Sequence, residues 1–75
     1  MNKWSKELQN NTLENIRPGA MVKDEEHNYG FVTEIEPKVI IKGVLSGGFI
    51  PEPSDETIAT FNSPLDMVEA GWVLD

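Results

Sequence analysis

Arg17-Pro18-Gly19-Ala20-Met21-Val22-Lys23, running on through a charged loop to Gly30-Phe31-Val32-Thr33-Glu34-Ile35, decides the fold. Proline presets one backbone angle and glycine accepts the positive angle of a type II turn, so Arg17-Pro18-Gly19 reads as a turn. Ala20 to Lys23 then reads as a short strand with Met21 or Val22 inward. Asp24-Glu25-Glu26-His27-Asn28 holds no apolar residue and is expected to project into solvent as a loop. Tyr29 to Glu36 is rich in aromatic and β-branched residues and is the clearest strand. Strict alternation would leave Val32 among polar neighbours, with Tyr29, Phe31, Thr33 and Ile35 on the other face. A bulge near Thr33-Glu34 brings Val32 and Ile35 to one side, and that reading is preferred.

Working outward towards the C-terminus, Glu36-Pro37-Lys38 is a tight connection. Lys38 to Leu45 is a nearly continuous apolar run, expected as a strand covered on both faces, by the sheet's core on one side and by the N-terminal segment on the other. Ser46-Gly47-Gly48 breaks it. Pro51-Glu52-Pro53-Ser54-Asp55-Glu56 reads as an acidic, proline-rich loop, and Thr57 to Phe61 as a fourth strand. Ser63-Pro64-Leu65-Asp66 has a helix-start signature: a capping serine, proline at the first helical position and an acid three residues after the cap. Leu65 and Val68 are expected to face inward together. Gly71 stops that turn, and Trp72-Val73-Leu74 forms a last short strand.

Towards the N-terminus, residues 2–9 read as a short amphipathic helix with Trp4 and Leu8 on one face, ended by Asn10-Asn11. A helix this short does not hold alone in water. Trp4, Leu8, Leu13 and Ile16 are expected to cap the open end of the domain, or else to form a partner-binding arm. The chain of 75 residues is expected to be one domain, with a helical arm over 1–16 and a β-barrel over 17–75.

Taken in order, the turn Arg17-Pro18-Gly19, the strand around Met21-Val22, the loop, Gly30-Phe31-Val32-Thr33-Glu34-Ile35 and the helical turn Ser63 to Gly71 resemble the SH3-like small β-barrel superfamily, as in KOW, Tudor-like and PRC-like barrels. The likeness covers residues 17–74 and implies a mainly β, five-stranded barrel with a short N-terminal helix and one helical turn before the last strand. It transfers no site. KOW barrels that touch nucleic acid carry basic loops where this chain has Asp24-Glu25-Glu26. For the aromatic cage of Tudor-like modules, only Tyr29, Phe31 and Phe49 are candidates.

Composition narrows function by exclusion. There are no cysteines and one histidine, so thiolate and multi-histidine metal sites are ruled out. No stretch approaches the roughly 20 apolar residues needed to span a bilayer, and Met1 to Gln9 has no apolar signal core, so a cytoplasmic location is expected. The net charge is -7, and no basic residue follows Lys42. Such a surface repels phosphate, so direct nucleic-acid binding is not expected. No nucleophile motif or phosphate-cradling glycine loop occurs, so an enzyme is not expected, nor a cofactor. Asp24, Glu25, Glu26, Glu34 and Glu36 could gather at one end of the first hairpin. A hydrated surface explains them better than a cation site. His27 is expected to be a solvated loop histidine, with a pH-sensing role beside Glu25 and Glu26 as the alternative.

Two functions from different classes follow. One is a protein-interaction module that presents Tyr29, Phe31, Phe49 and Trp4 to a protein partner or, as a dimer, to itself, since aromatic residues dominate interface hot spots. The other is an inhibitor that mimics nucleic acid, in which Asp24, Glu25, Glu26, Glu34, Glu36, Glu52, Asp55 and Glu56 stand where a basic groove expects phosphates.

Overall fold

The computed structural model describes residues 3–45, 48 and 50–75. The chain folds as α1 (Lys6–Asn15), β1 (Met21–Lys23), β2 (Tyr29–Glu34), β3 (Val39–Leu45), β4 (Glu52–Phe61), α2 (Pro64–Glu69) and β5 (Val73–Leu74). The strands form one antiparallel sheet in the order β4-β3-β2-β1-β5. The last strand returns to pair with the first, Val22 opposite Leu74 and Lys23 opposite Val73, and β4 and β5 are the two edges.

The bulge in β2 lies where the alternation needs it. Val32 is opposite Ile41 and Glu34 is opposite Ile40, so one extra residue, Thr33, is inserted on β2. Val32 is thereby fully buried, and Ile35 packs against the core. That core joins Val22, Val32, Val39 and Ile41 of the sheet to Met67 and Val68 of α2 and to Trp72.

Two inward positions carry no side chain, which lets the sheet curl. A Cβ on Gly30 would collide with Ile41 Cγ2 and come within 3.0 Å of the Lys42 carbonyl oxygen and 3.1 Å of Ile58 Cδ1. A Cβ on Gly43 would meet Ser54 Oγ at 3.0 Å and Ile58 Cγ2 at 3.6 Å. Ile58, on β4, thus reaches over Gly43 of β3 to Gly30 of β2. Second-neighbour strands stand about 10 Å apart in a flat sheet, so β4 must curl over the inner face to bring this about.

α2 starts and stops as its residues dictate. Ser63 Oγ accepts the Asp66 amide at 3.1 Å, with Pro64 in the first turn. At the other end Gly71, at φ +104°, turns the chain out of the helix. Its amide donates to the Val68 carbonyl at 2.9 Å and that of Trp72 to the Met67 carbonyl at 3.1 Å, the paired bonds of a Schellman stop. Met67 and Val68 are the buried pair, whereas Leu65 is 54% exposed. The expectation of an inward Leu65 fails because the buried face of this one-and-a-half-turn helix is set by its C-terminal stop, where Met67 and Trp72 come together.

Three further expectations are corrected. Asn10-Asn11 do not end the first helix, which starts at Lys6 rather than near residue 2. Ser5 is the cap, accepting the Leu8 amide at 3.1 Å, and Trp4 precedes the helix instead of riding on it. Asn10 and Asn11 are exposed and cost the helix only a weak propensity. Pro51–Glu56 is not wholly loop, since β4 begins at Glu52 and Pro53 lies opposite Val44. An edge strand needs bonds on one side only, so a proline that cannot donate is tolerated there. The pairing of β3 with β4 slips at two places, Ile41/Lys42 and Lys42/Val44, and these slips absorb the extra residues of β4. Finally, the N-terminal segment does not cover the outer face of β3. α1 packs against β5 and α2 instead, and Ile40, Lys42 and Val44 remain half-buried.

The reason for that placement is Thr12, whose side chain is fully buried. Its hydroxyl donates to the Leu8 carbonyl at 2.8 Å and accepts the Leu74 amide at 3.0 Å. Leu74 lies on edge strand β5, with β1 on its other side, so α1 supplies the partner that a further strand would have supplied.

Candidate functional site

The register of β1, β2 and β3 places two of the aromatic candidates, Tyr29 and Phe31, on the outer face of the sheet. Gly30 and Val32 point inward and are buried, so Tyr29 and Phe31, one residue out of phase with them, point outward. Phe31 stands opposite Met21 on one side and Lys42 on the other, and is half-buried between them. Tyr29 stands opposite Lys23 and is 46% exposed.

Trp4 joins this face from the edge. Its indole N–H donates to the Gly71 carbonyl oxygen at 2.7 Å, and its ring has the ammonium groups of Lys3 and Lys23 each 5.3 Å from its centroid. Both distances fall within the range of a cation–π attraction. Lys23, which also meets Asp75 at 3.6 Å, therefore links Trp4 to the strand pair that carries Tyr29. Trp4 is fixed by its own chain, with its ring half-buried. Phe49, the fourth aromatic candidate, lies outside the described residues. Reading the sequence alone did not single out Met21, Lys23 and Lys42 as neighbours of these aromatics. The signal was available only as cross-strand register, which the five-residue loop and the Thr33 bulge together determine.

The acidic residues divide into two kinds. Asp24 and Glu25 are half-buried and bonded internally, contrary to the expectation of a loop projecting freely. Asp24 Oδ1 accepts the amides of Glu26 at 2.9 Å and Asn28 at 2.8 Å, and its Oδ2 accepts from Asn28 Nδ2 at 2.9 Å. Burial opposes ionisation of this carboxyl. The Asn28 side chain, the two backbone amides and the nearby His27 together outweigh it and hold the group below its ordinary value. The hairpin closes through His27 in the left-handed region, at φ +66°. Glu25 accepts the Lys3 amide at 2.6 Å, and its carbonyl accepts from Lys3 Nζ at 2.8 Å, so the loop also anchors the N-terminal arm.

Glu26, Glu34, Glu36, Glu52, Asp55 and Glu56 are exposed. Glu26 lies at the loop end of β2, while Glu34 and Glu36 lie at the opposite end. A six-residue strand spans about 20 Å, so the acids of the first hairpin do not converge. Glu52, Asp55 and Glu56 run along edge strand β4. Among the described residues no group of three or more histidines, cysteines or carboxylates is placed to hold a metal ion, and no pocket is present. No helix among them is long and apolar enough to cross a membrane.

Comparison with protein-family models, with curated proteins and with solved structures finds no match.

Proposed function

We propose that this chain is a non-enzymatic protein-interaction module built on an SH3-like small barrel, and that its docking face is the outer surface of β1, β2 and β3. The strand order β4-β3-β2-β1-β5, the curl of β4 towards Gly30 and the helical turn before β5 support the barrel reading. The observation that carries the functional reading is the pairing of exposed Tyr29 with Phe31 on one outward face, bordered by Met21. An aromatic pair held on a rigid strand offers contact area with little entropy left to lose on binding.

The test is capture from native lysate with the wild-type chain, Tyr29→Ser and Phe31→Ser, followed by affinity measurement on whatever purified protein is retained. The expected result is a partner whose affinity falls about tenfold or more on either substitution, as hot-spot truncation does, and which survives raised salt. Melting curves on each variant confirm that it is folded. Retention that ignores both substitutions and collapses with salt would reject the aromatic face and favour the acidic mimic.

A further inference from the structure

The long edge strand β4 is a surface separate from the Tyr29–Phe31 face. Its peptide directions follow from the ladder. The Val32 amide donates to the Ala20 carbonyl at 2.9 Å and the Val32 carbonyl accepts from Gly19 at 2.7 Å, so both groups of Val32 point towards the β1 side. Antiparallel partners alternate between bonded and non-bonded pairs. Ile41, opposite Val32, therefore turns its amide and carbonyl to β4, and Ala59, opposite Ile41, turns its own back to β3. The next residue, Thr60, opposite Ile40, then directs its amide and carbonyl away from the sheet, along the free edge.

That edge has a definite charge. Glu52, Asp55 and Glu56 are exposed along it, and residues 43–75 hold no lysine, arginine or histidine. The nearest cation, Lys42, is one strand inward, with its ammonium on Thr57 Oγ1 at 2.8 Å and the Asp55 carbonyl at 3.4 Å. Ile58, 41% exposed, lies on the inner face over Gly43 and Gly30. Pro53 and the register slips blunt the first half of the strand against pairing, whereas Val39–Phe61, Ile40–Thr60 and Ile41–Ala59 continue without a slip.

From this we infer that β4 receives an extended, lysine- or arginine-bearing segment of another protein as a sixth strand, its backbone bonding at Thr60 and its cations meeting Glu56, Asp55 and Glu52. A second copy of the chain is the wrong occupant, because its own β4 carries no lysine or arginine to meet these carboxylates.

The probe is an eight-residue peptide alternating lysine and valine, followed by amide chemical shifts of the full chain and by calorimetry. Three comparisons accompany it: the same peptide N-methylated at alternate residues, the same peptide with glutamate for lysine, and the triple variant Glu52→Gln, Asp55→Asn, Glu56→Gln. The expected result is binding that shifts the Thr60 amide, weakens about tenfold or more between about 50 mM and 500 mM salt, and is lost with either altered peptide and with the triple variant. No binding of the plain peptide, equal binding of its N-methylated form, or shifts confined to Tyr29 and Phe31 would overturn the inference. So would concentration-dependent dimerisation that Thr60→Pro abolishes. Tyr29→Ser, opposite Lys23 and away from β4, leaves this edge untouched, so failure here and failure of the aromatic face are told apart.

Discussion

Replacing Thr12 tests how α1 is held. The Thr12→Val substitution keeps the shape of the buried side chain and removes one oxygen. That oxygen accepts the Leu74 amide at 3.0 Å and donates to the Leu8 carbonyl at 2.8 Å. The Leu8 carbonyl is also within reach of the helix's own amides, so its loss is minor. The Leu74 amide has no such substitute, because β1 occupies the other side of β5. Leaving a buried donor unpaired costs about 1–3 kcal/mol, and the lower half of that range applies where Leu74 is only half-buried. In a domain of this size each kcal/mol lowers the melting temperature by about 4–8 °C. Thr12→Val should therefore melt roughly 4–16 °C below wild type. Thr12→Ser is the control: it keeps the hydroxyl and removes a methyl, a void worth about 1 kcal/mol. Melting alone separates the two weakly, so hydrogen exchange decides. The Leu74 amide should exchange about 5–30 times faster, relative to the other core amides, in Thr12→Val. Its relative protection should be unchanged in Thr12→Ser. Equal relative protection of Leu74 in wild type and Thr12→Val would refute the claim that this hydroxyl seals the β5 edge.

Gly30→Ala should destabilise by about 1–3 kcal/mol, because the new methyl meets Ile41, Ile58 and the Lys42 carbonyl, the last being backbone that cannot swing away. Gly48→Ala, where nothing lies within 4 Å, should be near neutral in the same denaturant titration. Trp4→Phe keeps an aromatic face but is smaller and lacks the indole donor to Gly71, and should cost at least about 1 kcal/mol in chemical denaturation. Asp24 has a folded pKa below its ordinary 3.8, so its bonds add stability that is complete above that ordinary value and disappears as pH falls through the lowered folded value. The stability gap between wild type and Asp24→Asn should accordingly narrow on acidification across that window, and a gap that widens there would contradict the hydrogen bonding described.

Much of the sheet was legible because period-two patterning and turn chemistry act locally. Val32 cannot be buried together with Ile35 without an extra residue, so the Thr33 bulge follows from two side chains three residues apart. Ser63, Pro64 and Gly71 each satisfy a specific backbone need, and α2 begins and ends where they stand. The errors came where a distant partner overrides a local rule. Asn10-Asn11 looked like a stop, yet the helix continues because Thr12 finds Leu74, 62 residues away. Pro53 looked like loop, yet an edge strand asks nothing of its missing amide. Leu65 lost its inward place to Met67 because the helix stop, not the helix start, sets the rotation.

The candidate site was legible only as residue types. Tyr29 and Phe31 share a face by simple alternation, but their neighbours depend on register across two strands. Trp4 shows the limit most clearly. An exposed tryptophan on a mobile arm and a tryptophan latched to Gly71 have the same local sequence, and only the tertiary carbonyl distinguishes them. The same latch bears on the two proposed surfaces. Lys3 and Trp4 fasten the arm to the Glu25 loop and to the turn before β5, and Thr12 occupies the β5 edge. Of the two sheet edges, then, the chain covers one with its own helix. The other, β4, carries bulges, a proline and carboxylates, the devices by which edge strands resist indiscriminate pairing. An acidic edge with no cation of its own favours a cationic strand over a second copy, so under the proposed sixth-strand pairing the carboxylates of β4 would select what binds there.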